Sequence, residues 1–122
     1  MSKSPRNASG EWEHAHQLYM LAGTADSYAV QQPAQEAVTL YRELSATNPD
    51  SYISDLARCL NNLGSILYGL GRKAEALPAI EDAVTLRRDL AESSPDLHRS
   101  DLAHSLANLG PILAALDTQR RH

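Results

Sequence analysis

Glu11, Glu13, His14 and His16 set two carboxylates beside two imidazoles near the start of the sequence, and carboxylates beside imidazoles are the material of acid–base and metal chemistry. The two histidines stand two apart, which puts them on different sides of a helix and denies them a shared ion. The run reads as a solvated helix start. Cys59 is the sole cysteine, so neither an intrachain disulfide nor a zinc-type spacing can be drawn; it reads as a small semi-buried side chain. A Gly-rich phosphate loop, a paired-histidine helix motif and a Ser or Cys nucleophile signature are all missing from the sequence. The chain is therefore expected to be no enzyme and to need neither cofactor nor metal. Asn62 and Asn108 offer a different chemistry. An amide both donates and accepts, so it can pair with a peptide backbone whatever the peptide's sequence; the alternative is that both bond to neighbouring helix ends.

These asparagines belong to stretches that repeat. Asp55-Leu-Ala-Arg-Cys-Leu-Asn-Asn-Leu-Gly-Ser-Ile-Leu67 returns as Asp101-Leu-Ala-His-Ser-Leu-Ala-Asn-Leu-Gly-Pro-Ile-Leu113, a shift of 101 − 55 = 46 residues. The same shift carries Glu36–Leu44 onto Asp82–Leu90. A period in this range points to stacked helix pairs.

The spacing of apolar residues predicts those helices. Leu56, Leu60, Leu63, Leu67 and Leu70 recur at steps of four, three, four and three, one continuous helical face. Ser54 is expected to cap that helix after a loop over 48–53, and Gly69 and Gly71 to end it, with an antiparallel neighbour over 72–92. In that neighbour Ala76, Leu77, Ile80, Ala83, Val84 and Leu90 should face inward, with a bend at Pro78. Ser100 is expected to cap a final helix whose Leu102, Leu106, Leu109, Leu113 and Leu116 repeat the ladder. Upstream, a helix over about 11–22 should stop at Gly23. Around Pro33 either one helix bends or a new one begins, continuing through Ala34, Ala37, Val38, Tyr41 and Leu44 to Asn48-Pro49-Asp50.

The whole composition agrees. The chain has 122 residues, no phenylalanine and a net charge of −4, so one core of Leu, Ile, Val and Ala is expected. An acidic chain without a basic stripe is a poor match for nucleic acid. Residues 1–10 are polar and expected to be disordered, and 118–122 to form a polar tail. Neither a signal peptide nor a run of about 20 apolar residues occurs, so no membrane partner is expected and the default location is cytoplasmic.

From Asn62-Leu63-Gly64 through Gly71 and Ala76 to Ile80 and Ala83, the spacing resembles the tetratricopeptide repeat. In that family small residues at the places of Gly64, Ala76 and Ala83 let backbones approach, Gly71 sits at the interhelix turn, and Leu60, Leu67 and Ile80 stand where aromatics are frequent. The helix running on to Pro95 makes the chain similar to the longer-repeat variety of kinesin light chain and many bacterial proteins. The resemblance implies an all-α fold, a short α-solenoid of about five helices over 11–117. It has one complete repeat (55–92) and partial repeats on either side. It also implies a protein or peptide partner.

Two surfaces follow. With Leu63 at the centre of the buried stripe, a step of about 100° per residue turns Arg58, Asn61, Ser65 and Tyr68 outward, with Asn62 on the flank. In the resembling family this side lines a concave groove whose recurrent asparagine matches Asn62 and Asn108, with His104 nearby. The second surface lies on the final helix, which is apolar nearly all round and has no following helix to cover Gly110. Leu109, Ile112, Leu113 and Leu116 are the expected self-association face, which would make the chain a homo-oligomer. The alternative functions are a self-assembling structural unit or an accessory piece of a larger signalling protein.

Overall fold

In the computed structural model the described residues are 13–17 and 27–121. They form a short helical piece α1 (13–17) followed by α2 (Ser27–Thr47), α3 (Pro49–Gly69), α4 (Lys73–Ser93) and α5 (Pro95–Arg121). Among the described residues no strand occurs. The expected tail at 1–10 and the Gly23 cap lie outside the described residues.

Each helix packs on the one before it and the one after: α2 on α3, α3 on α4, α4 on α5, with a thinner contact between α3 and α5. This is a short all-α solenoid of antiparallel hairpins. The period of 46 residues is kept by the backbone, since α4 begins and ends 46 residues after α2, and α5 begins 46 after α3. Pro33 lies inside α2, so a single helix passes through it, and Pro78 and Pro111 lie inside α4 and α5.

The helices α3 and α5 start six residues earlier than the serine caps suggested. Pro49 and Pro95 are the first helical residues, where the missing N–H costs nothing and the ring presets φ; Asp50 and Asp96 in the first turns add a favourable charge. The single linking residues Asn48 and Ser94 adopt nearly the same non-helical backbone, φ −147° and −144°, clear of the α region that a following proline disfavours. Ser54 and Ser100 therefore sit within helices. The α3–α4 turn differs. Gly71 takes φ +82°, its N–H donates to the Tyr68 carbonyl and the Arg72 N–H to the Leu67 carbonyl, the paired bonds of a left-handed glycine C-cap. Arg72 then grips Glu75 through two hydrogen bonds of 2.8 and 2.6 Å, which holds the Glu75 carboxyl below its ordinary pKa.

The core runs along the whole stack, with Tyr41, Leu60, Ile80 and Ile112 fully buried. Gly64 fixes the closest approach: a Cβ there would collide with Ile80 Cδ1 and Cγ1 and lie 3.4 Å from the Ala76 carbonyl oxygen. Small residues at facing positions set the depth to which the ridges of one helix enter the grooves of the next.

Candidate functional site

The two repeated helices α3 and α5 are tied together by polar side chains. Asn61 on α3 accepts at Oδ1 from the Ser105 hydroxyl (2.9 Å) and from Asn108 Nδ2 (3.1 Å), and Asn108 Nδ2 also reaches Ser65 Oγ at 3.3 Å. Arg87 of α4 closes the set from below. Its Nη1 donates to Ser105 Oγ (2.8 Å) and to the Asp101 carbonyl (3.0 Å). Arg87 and Ser105 are buried, and a guanidinium taken out of water is tolerable only when hydrogen-bonded in this way.

Asn61 is therefore not an outward residue. It is 6% exposed, because α5 lies against the side of α3 that a lone helix would turn to solvent. The chain's own α3 claims Asn108 in the same way, through side chains rather than through a helix end. Around this seam Arg58, Ser65 and His104 are exposed, Tyr68 is at the margin, and Asn62 and Asn108 are half-buried. Arg58 also pairs with Asp55 at 3.4 Å.

Arg87 and Ser105 were not singled out by sequence reasoning, though the 46-residue register held the signal. It aligns Arg87 with Tyr41, Ser105 with Cys59 and Ala107 with Asn61. Wherever one repeat is polar and its counterpart is not, the interface chemistry has changed.

At the earlier interface Tyr41 is buried beside Tyr52, ring centroids 6.4 Å apart. Burial and then the nearby Asp55 raise the Tyr41 hydroxyl, and the same two causes push the Cys59 thiol up to about 12. Such a thiol stays protonated and unreactive near neutrality. Burial also raises Asp55, against the pull of Arg58 and then His16. His14 is exposed and His16 half-buried, on either side of the buried Ala15. No group of three or more His, Cys, Asp or Glu able to hold a metal ion exists among the described residues.

The self-association face is also redrawn. Ile112 is 1% exposed in the chain's own core, and Leu109 and Leu116 are half-buried against it, leaving Leu113 as the open member of the four. Leu106 and Leu97 are exposed as well. Within the described residues no helix is long and apolar enough to cross a membrane.

Hairpins stacked at constant period with small residues at the crossings define the class: a helical repeat array. Residues 56–96, spanning α3, the Gly71 turn and α4, match the family model described as tetratricopeptide repeat. The chain carries a repeat of that family, and the long helices agree with its longer-repeat variety. Searches of curated proteins and of solved structures give no match. A repeat of this kind suggests a protein–protein interaction module.

Proposed function

We propose that the chain binds a peptide or helix of a partner protein along the seam between α3 and α5, with Arg58, Asn62, Ser65, Tyr68 and His104 as the contacting side chains and Asn108 at the seam itself. The observation that carries this reading is the Asn61–Asn108–Ser65 link. It locks two repeated helices side by side and leaves a row of mixed polar, cationic and aromatic groups open to solvent. Such a row can pair with a backbone through amides and cover apolar side chains with a tyrosine ring. Nothing in this arrangement activates a nucleophile, so catalysis is no part of the proposal.

The test is photo-crosslinking in cell extract from position 65, comparing the intact chain with an Asn62→Ala/Tyr68→Ala variant whose helical content is verified by circular dichroism. A specific crosslinked protein that the variant loses supports the seam. Equal crosslinking by both chains rejects it. Self-association is a second reading, favoured by the exposed Leu106 and Leu113; sedimentation equilibrium over a concentration series tests it, a strict monomer counting against it.

A further inference from the structure

Two seams of the stack use opposite chemistry at matching positions. Three consecutive helices supply each set: Asn61 of α3, Arg87 of α4 and Ser105 of α5 in the later seam, and, 46 residues before each, Ala15 of α1, Tyr41 of α2 and Cys59 of α3 in the earlier one. All six side chains are buried. In the later seam Arg87 Nη1 donates to Ser105 Oγ and the Ser105 hydroxyl donates to Asn61 Oδ1; in the earlier one Ala15, Tyr41 and Cys59 join the apolar core. Little else tells α3 from α5. Along 55–67 and 101–113 the residues differ only as Arg58 against His104, Cys59 against Ser105, Asn61 against Ala107 and Ser65 against Pro111, and of these the Cys59 and Ser105 pair alone is buried in both copies.

Two near-identical helices have two docking places to choose between. Leucine ladders that match cannot separate them, and exchange of like elements between copies is the characteristic misassembly of repeat proteins. The buried triads can separate them. With α5 seated in the earlier place, Ser105 would face Ala15 and Tyr41, and Arg87 would stand in a seam that lacks the hydroxyl its Nη1 now meets. With α3 seated in the later place, the Cys59 thiol, a weak hydrogen-bond partner, would be set before the guanidinium. Either exchange strips a buried charge of a hydrogen bond, which is far more costly than keeping the satisfied network. We propose that the Asn61–Ser105–Arg87 triad, set against its apolar counterpart Ala15–Cys59–Tyr41, is a pairing code that fixes which helix docks in which seam. The code acts within the fold and is independent of what the α3–α5 surface binds.

The experiment refolds the full chain from urea as a mixture of donor- and acceptor-labelled copies and compares its energy transfer with that of copies folded separately and then mixed. Exchange of helices requires both copies to be unfolded together, so it raises the first signal alone; contact between folded surfaces raises both equally. Equal signals are expected for the parent chain. Asn61→Ala/Arg87→Tyr/Ser105→Cys, held reduced, gives the later seam the earlier one's chemistry, and its co-refolded signal is expected to exceed the mixed one more than about twofold. Ala15→Asn/Tyr41→Arg/Cys59→Ser makes both seams polar instead, and the same rise is expected. Val84→Ala removes buried carbon from α4 and leaves both triads intact, so it should stay at the parent's level. A levelled variant that regains its helical circular dichroism and shows no rise overturns the proposal. So does an equal rise in Val84→Ala, which would tie exchange to stability, or in the parent chain itself. If neither levelled variant refolds while Val84→Ala does, the triads serve stability alone and the code falls.

Discussion

Leu60 and Leu106 occupy the same place in two copies of one sequence, yet one is 2% exposed and the other 40%; for Leu67 and Leu113 the figures are 3% and 45%. The difference lies in the neighbours. Helix α3 is enclosed by α2 before it and α4 after it, whereas α5 has α4 on one side and solvent on the other. Identical residues thus stabilise the fold in one copy and form a surface in the other, since burial energy follows the area removed from water.

Truncating the paired leucines should widen this contrast most. Leu60→Ala is expected to cost about 2–5 kcal/mol by leaving a cavity in a closed core, while Leu106→Ala costs under about 1 kcal/mol in an open one; urea unfolding midpoints measure both. A similar destabilisation of the two variants would mean that α5 is as enclosed as α3. The glycine pair should give opposite signs. Gly64→Ala is expected to lose about 1–3 kcal/mol because the buried Ile80 cannot retreat, and Gly110→Ala to gain about 0.5–1 kcal/mol from the entropy of the unfolded chain. Thermal melts of the two single variants provide the readout.

The inter-helix seams offer a subtler contrast. Tyr41 and Cys59 fill the α2–α3 seam with carbon, sulfur and one hydroxyl, where the α4–α5 seam has Arg87 and Ser105. Ser105→Ala should therefore cost about 1–2 kcal/mol, by removing the link between Arg87 and Asn61, and Cys59→Ala should be felt only as lost packing. Combining Ser105→Ala with Asn61→Ala should cost less than the sum of the single variants, as coupled partners do.

The smallest effect should come from pH. Burial raises Asp55 above its ordinary value of 3.8, so the folded chain holds the proton more tightly than the unfolded one. The penalty is absent below the unfolded value and grows as pH rises through the window up to the folded one. Asp55→Asn should accordingly be favoured over the parent chain as pH rises through that window, and unfolding midpoints at stepped pH should converge at its acid end. A difference that grows toward acid would reverse the sign and rule out burial as the cause.

The sequence by itself determined the hairpin units, their 46-residue spacing and the small residues at their crossings, because these depend on periodicity and side-chain volume within one helix pair. It also carried the change from Tyr41 to Arg87 and from Cys59 to Ser105. That change becomes legible as interface chemistry only when the repeats are laid over one another. Helix starts were missed at Ser54 and Ser100 because a capping hydroxyl and a first-turn proline compete locally, and Pro49 and Pro95 win by fixing φ ahead of them. Tertiary structure alone decided that Asn61 is interior, that Ile112 belongs to the core, and that Leu106 and Leu113 face solvent. A residue's position on its own helix sets its direction, but whether that direction ends in protein or in water depends on a neighbour encoded dozens of residues away.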